Sequence, residues 1–303
     1  MLKLSICVIT MNRAEQLVQA LESCMDCNLP NGTEFVVLDN ASTDDTEKRV
    51  KDFSAKYPNI TVNYKFSPNN LGVGGGRAAA FELAKGDITY FLDDDAVIAD
   101  ESKEQFFTKS LSVFENNPEV ASLTTKIYDE LLNINRENEI GEVVCGEVNL
   151  PLIFHYLGGS HYLRKEYFDS PLYLNIKYGS EEFYPSIVVQ DKGYFNVIDK
   201  DLCIIHKPKV NKWVDGSENM KNVLINGTAN VYATKRILYP LVVRPLLWAG
   251  YMARCLKYLR PYNGAIAAAN KAVKKLVKEN KGSKKIKFKT VIRFLKQYGL
   301  SAF

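Results

Sequence analysis

Apolar residues in the first hundred positions recur in two alternating rhythms. Short runs at 4–10, 34–38, 60–66 and 88–92 have the length and β-branched content of strands. Between them, Leu17, Leu21 and Cys24, and then Val50, Phe53 and Tyr57, recur at helical spacing. Asn12 is placed to cap the first helix with Glu15 as its capping-box partner, and the polar cluster at 39–44 to cap the second. Gly74-Gly75-Gly76 reads as a loop, followed by a helix over 77–85 that Gly86 stops. This alternation predicts an α/β fold, a mainly parallel central sheet with helices on both faces. From Val231 the alternation gives way to helix-like stretches. The expected division is an α/β domain over 1–230 and a helical extension over 231–303.

Composition narrows the class. With 303 residues, 46% hydrophobic and 24% charged, the chain can bury a large core, which excludes disorder as its dominant state. The net charge of +4 is an average of unlike parts. Residues 251–303 hold 14 Lys/Arg and one acid, Glu279, while the preceding 250 carry an excess of nine acids. The N-terminal apolar run is short for a signal peptide and lacks a small-residue cleavage site, so it reads as a first strand. No window reaches the roughly 18 apolar residues of a spanning helix. Six scattered cysteines, two inside strand-like runs, suit buried thiols in a reducing cytosol. Cys24 and Cys27 form a lone CxxC with no second pair of ligands spaced for zinc.

Polar clusters at 10–13, 39–44 and 93–95 all follow strands, where open α/β sheets bind ligands. On a strand Asp93 and Asp95 would face one way and Asp94 the other. Two carboxylates on one side suit a hard divalent cation that also holds a diphosphate. The glycine run before Arg77 offers backbone N–H groups to an anion. It matches neither the dinucleotide fingerprint nor a P-loop.

The blocks Ile6-Cys-Val-Ile-Thr-Met-Asn-Arg13, Val36-Val-Leu-Asp-Asn-Ala-Ser-Thr-Asp44, Asn70-Leu-Gly-Val-Gly-Gly-Gly-Arg77 and Phe91-Leu-Asp-Asp-Asp-Ala96 together resemble the family 2 glycosyltransferases of GT-A fold. The resemblance covers roughly residues 4–100 in order and spacing. It implies an inverting transfer from a nucleotide-sugar, UDP being the commonest nucleotide, to a hydroxyl, with Mn²⁺ or Mg²⁺. Residues 1–100 would be the nucleotide-binding half and 101–230 the acceptor-binding half. Thr10, Asn12, Arg13, Asp39, Asn40, Arg77, Asp93 and Asp94 would surround the nucleotide, and Asp95 would hold the metal. Further on, residues 157–164 look like the small-residue segment before the acceptor side. Counting back from Gly193 puts Glu182 on the family's catalytic Asp, with Glu181 as its rival. His206, ending an apolar run, looks like the His that completes the metal sphere; an imidazole suits Mn²⁺ better than Mg²⁺. His155 and His161 read as structural or acceptor-lining.

The polar stretch 128–151 gives no acceptor identity. In the extension, Leu246, Leu247, Trp248, Tyr251, Met252, Cys255, Leu256 and Leu259 form an apolar stripe flanked by Arg254, Lys257 and Arg260. Lysines accompany further helical stretches at 265–277 and 291–298. Such stripes suit an anionic membrane surface, here through 239–298, or helices packed on the body with their lysines in water. The leading expectation is a peripheral enzyme at the cytoplasmic face, adding a sugar to a lipid-linked or polymeric glycan. A protein or small-molecule acceptor, a sugar-nucleotide nucleotidylyltransferase and a non-enzymatic basic-tailed binder are the alternatives. Nucleic acid is not an expected partner: the tail lacks a recognisable motif and the body is acidic.

Overall fold

The structure is a computed structural model that describes residues 2–136, 144–145, 150–176, 178–209 and 217–303. Residues 137–143 and 146–149 of the polar stretch 128–151, from which acceptor loops are expected, lie outside the described residues, as does the side chain of Cys145.

The first half alternates as the hydrophobic pattern predicts: β1 Leu4–Thr10, α1 Ala14–Met25, β2 Glu34–Asn40, α2 Thr46–Lys56, β3 Thr61–Ser67, α3 Gly72–Leu83 and β4 Ile88–Asp93. There follow β5 Ala96–Ile98, α4 Phe106–Asn116, β6 Val120–Asp129, β7 Ile134–Asn135, β8 Val144–Cys145, β9 Pro151–Leu152 and β10 Ser160–Arg164. Then come α5 Phe183–Lys192, β11 Phe195–His206, α6 Glu218–Leu238, α7 Arg244–Arg254, α8 Ala265–Glu279 and α9 Phe288–Tyr298. The sheet runs β3-β2-β1-β4-β10-β6-β11-β9-β8. The pairs β3/β2, β2/β1, β1/β4 and β6/β11 are parallel, and β10 lies antiparallel between β4 and β6. The carboxyl ends of β1, β2, β4, β6 and β11 therefore share one edge.

Three local expectations change. Asn12 does not cap α1: its backbone is left-handed (φ 54°), and its Oδ1 accepts from the Thr43 backbone N–H at 2.7 Å. Asp44 serves both helices instead, accepting from the N–H groups of Ala14 and Thr46 at 3.2 Å each. The glycine run is no loop, since α3 begins at Gly72 and contains it. A Cβ on Gly76 would stand 2.9 Å from Ile9 Cγ2, and one on Gly74 2.9 Å from the Ile176 carbonyl oxygen. The glycines thus let α3 press against the sheet and the 173–181 segment, a gain that outweighs their poor helix propensity of roughly 1 kcal/mol each.

The boundary expected at 230/231 falls inside α6. A second core joins Ile225, Tyr232, Leu247, Leu259, Val273 and Phe294 of the C-terminal helices to Phe154, Leu174, Ile176 and Ile187 of the body. The extension is therefore packed on the α/β domain. α8 buries its apolar face, Ala265, Ala269, Val273 and Leu276, inside the protein, so the stretch 265–277 has no apolar stripe left for a membrane. Exposed apolar side chains occur instead at Leu241, Val242, Leu246, Trp248 and Leu256, and at Phe288, Ile292, Leu295 and Leu300. No described helix is long and apolar enough to cross a membrane.

Candidate functional site

The carboxyl edge of the sheet opens into a cleft of about 1540 Å³, closed on its far side by the 178–183 segment and by α6 and α7. Thr10, Asn12, Arg13, Asn40, Arg77, Asp93, Asp94, Asp95, Glu181, Glu182 and His206 all line it. Asp39 is absent from that lining. It is buried behind the wall, where its Oδ2 accepts from the Tyr64 hydroxyl and its Oδ1 from the Ser42 N–H, each at 2.7 Å. Asn40 pins the turn before α3: its Oδ1 accepts from the Leu71 N–H at 2.7 Å, and its Nδ2 donates to the Gly72 carbonyl at 3.2 Å.

Two arginines organise the carboxylates. Arg13 Nη1 bridges Asp94 Oδ1 at 2.8 Å and Asp95 Oδ2 at 2.7 Å. Burial opposes the Arg13 charge, but Asp94 and Asp95 outweigh it and raise its pKa. Burial pushes Asp94 up to about 6, less than it would without Arg13 beside it. Arg77, buried, reaches Asp93 Oδ1 at 2.8 Å through Nη2, and Glu181 Oε1 at 2.9 Å and Glu182 Oε1 at 3.3 Å through Nη1. Burial disfavours its charge, yet Asp93, Glu181 and Glu182 together hold the guanidinium firmly protonated. Arg77 is thus the clamp between a strand end of the first half and the Glu pair of the second. Arg77 also lines the cleft beside the other residues expected around the nucleotide.

The two glutamates are not equivalent. The Glu181 side chain is 3% exposed and that of Glu182 13%. Burial, and then the Glu181 charge, raise Glu182 well above the usual carboxylate range, with Arg77 opposing. Gly158 makes room for this arrangement: a Cβ there would overlap Glu182 Oε1 and stand 2.8 Å from Arg77 Nη1.

Asp93, Asp95 and His206 each offer a ligand atom within 4.8 Å of the others. Two carboxylate oxygens and an imidazole are a donor set that Mn²⁺ accepts readily and Mg²⁺ less so. The antiparallel pairing of His206 with Ala96 in β11/β5 brings this residue to the Asp95 turn. Its Nε2 lies 3.2 Å from Asp95 Oδ1 and its Nδ1 3.0 Å from Asp129 Oδ2. Burial lowers the His206 pKa, but the bond to Asp95 more than compensates and raises it. Asp129 is fully buried and also paired with Arg136. An Nδ1–H donated to Asp129 leaves Nε2 to face the aspartates, the outer-shell arrangement of metal-binding histidines. Sequence reading missed Asp129. Its one signal was its place as the last residue of an apolar strand, like Asp93.

Of the other histidines, His161 is buried between Phe91 and Tyr156 at ring distances of 5.0 and 4.4 Å and lies outside the cleft lining. His155 does line the cleft, its ring tilted against that of Phe183 with centroids 4.0 Å apart. Cys24 and Cys27 are buried, and desolvation raises both thiols, Cys27 to about 12, which suits packing rather than metal or redox work.

The family model described as "Glycosyl transferase family 2" matches residues 5–170. An uncharacterised glycosyltransferase of Bacillus subtilis is 32% identical over 115 residues, which are 38% of this chain and 28% of that protein. Among solved structures, the mannosyltransferase PcManGT of Pyrobaculum calidifontis, in complex with GDP-Man and Mn²⁺, superposes with a TM-score of 0.63 at 17% identity. The match covers 100% of this chain and 81% of that one. Residues 1–349 of TarS from S. aureus, in complex with UDP-GlcNAc, give a TM-score of 0.62 at 14% identity, covering 99% and 89%.

Proposed function

Since the chain belongs to glycosyl transferase family 2, we propose that it transfers a sugar from a nucleotide-sugar, with inversion, to a hydroxyl of a glycan or lipid-linked glycan. The observation that carries this reading is the clamp of Arg77, which joins the Asp93 end of a nucleotide-side strand to the Glu181–Glu182 pair across one cleft. In that reading Thr10, Asn12, Arg13 and Asn40 surround the nucleotide. Asp93, Asp95 and His206 would hold Mn²⁺ or Mg²⁺, which when bound neutralises charge on the diphosphate. Asp129 is then a positioning residue for His206.

Glu182 is the base. The acceptor oxygen forms its bond to the anomeric carbon as the bond from that carbon to the diphosphate oxygen breaks, and the hydroxyl proton passes to Glu182. Its greater access to the cleft favours it over Glu181, and its raised pKa makes it a stronger proton acceptor than an ordinary carboxylate. Glu181 holds Arg77 in place. UDP is the first donor nucleotide to try, and GDP the second. Two neighbours of this fold carry those nucleotides, but identities below 20% convey fold rather than donor.

A peripheral position on an anionic membrane, at the cytoplasmic face, is supported by Leu241, Val242, Leu246, Trp248 and Leu256, all exposed beside Arg244, Lys257 and Arg260. The test of the catalytic assignment is a pair of variants. Glu182→Gln abolishes transfer while a nucleoside diphosphate still binds; if Glu181→Gln is the inactive one instead, the base is its neighbour.

A further inference from the structure

The cleft is larger than its donor. Single-ligand pockets usually occupy about 300–1,000 Å³, against about 1540 Å³ here. Part of its lining comes from α6. Asn219, Asn222 and Asn226, three and four residues apart, share one face of that helix and line the cleft. They span about 10 Å of helix axis. None of their side chains has a hydrogen-bond partner among the described residues. The next residue of the row, Asn230, donates instead to the Tyr178 and Gly179 carbonyls at 3.1 and 2.8 Å, tying the 178–180 turn to α6.

Two basic residues of the C-terminal helices complete this wall. Lys235 and Arg254 both line the cleft. Lys235 sits in contact with the rings of Phe154 and Phe183, at 5.3 and 5.8 Å. Arg254 is exposed, lies 5.8 Å from the Tyr258 ring, and has no carboxylate partner among the described residues. Burial, and then Arg254, push Lys235 down to about 7, so the standing positive charge here is that of Arg254; burial first, and then Lys235 and Arg254, take His155 down to about 4.

We propose that this wall is the acceptor subsite, and that it takes an extended, hydroxyl-rich chain bearing an anionic group, phosphate or carboxylate. An amide side chain both donates and accepts, as sugar and polyol hydroxyls do. A row of amides reads several such groups in succession. Arg254 presents a planar fork suited to either anion. The assignment rests on the transferase reading and supplies its acceptor class.

The test measures affinity of the full chain at fixed ionic strength for three oligomers of equal length: a glycerol-phosphate oligomer, a uronic-acid oligosaccharide and a neutral maltooligosaccharide. At least one anionic oligomer binds about tenfold more tightly than the neutral one, and Arg254→Gln removes that preference. The double variant Asn222→Ala/Asn226→Ala weakens the anionic and neutral oligomers alike. Affinity for UDP or GDP with Mn²⁺ stays within twofold in all variants, which also shows that they fold. Which anionic oligomer responds identifies the anion. Equal binding of charged and neutral oligomers overturns the proposal, as does a preference that survives Arg254→Gln. So does an Arg254→Gln effect confined to vesicles of anionic phospholipid. If wild-type protein binds neither nucleotide yet keeps an Arg254-dependent preference, the donor reading fails and the subsite stands.

Discussion

The two ends of the cleft are built on opposite electrostatic plans. At the strand edge, Asp93, Asp94, Asp95, Glu181 and Glu182 are each engaged by Arg13, Arg77 or His206. At the α6–α7 end, Asn219, Asn222, Asn226 and Arg254 face open space. Removing one partner from this largely buried charge network leaves the other charges uncompensated, so the carboxylates and arginines of the first end hold one another in place. Neutral amides on an exposed helix face impose no such constraint. The difference assigns fixed chemistry to the strand edge and ligand choice to the helical wall.

The comparison breaks most visibly at Glu182. Glu182→Gln lowers transfer about 10²–10⁴-fold, the usual worth of a positioned base, while nucleotide affinity measured by calorimetry stays within twofold. The wild-type rate also rises with pH through a range above that of an ordinary carboxylate. Burial and Glu181 keep Glu182 protonated to a higher pH, and only the deprotonated form accepts the proton. A rate already flat from the ordinary carboxylate range upward would remove Glu182 as the base.

Gly158→Ala comes next. The added methyl must displace the ends of Glu182 and Arg77, which are movable side chains, so the fold survives but the catalytic geometry does not. Transfer falls about 10²-fold, as for a misplacement on the order of 1 Å, with little change in Tm. An unaffected rate would show that the Glu182–Arg77 arrangement is not used.

Asp129→Asn weakens Mn²⁺ binding about 10–100-fold, the usual cost of losing an outer-shell partner, read by electron paramagnetic resonance of free Mn²⁺. Unchanged Mn²⁺ affinity would leave Asp129 a mere core residue. The smallest effect lies outside the cleft: Trp248→Ser reduces partition onto anionic vesicles about tenfold, given 1.5–3 kcal/mol for burying a large side chain. Transfer to a water-soluble acceptor should not change.

The same contrast explains what could be read from the chain. β1 to β4 and the Asp93–Asp95 cluster were legible because strand alternation and strand-end polarity are local patterns. The glycine run misled because isolated propensity favours a loop. What makes Gly72–Gly76 helical is close packing against Ile9, Leu38 and the Ile176 carbonyl, which no local pattern records. Asn12 had the residue type of a cap, yet tertiary contact with Thr43 recruits it elsewhere. Arg77 stands in the expected nucleotide block, but two of its three carboxylate partners, Glu181 and Glu182, lie more than a hundred residues away. Asp39 stands in the expected block and is nonetheless turned inward by Tyr64. In the extension, lysine-flanked stripes looked alike in sequence. Packing against α6 consumes the α8 stripe and leaves part of α7 exposed, and only the tertiary structure separates them.

Nucleoside diphosphate release tests the central claim most directly. Wild-type protein is offered UDP-, GDP- and dTDP-sugars with a mixture of glycan acceptors, with Mn²⁺, with Mg²⁺ and in EDTA. Release from one class of donor that requires the metal, and that is lost in EDTA and in Asp95→Ala, is the predicted result. Full release in EDTA, or none from any donor, would contradict a metal-assisted sugar transfer at this cleft.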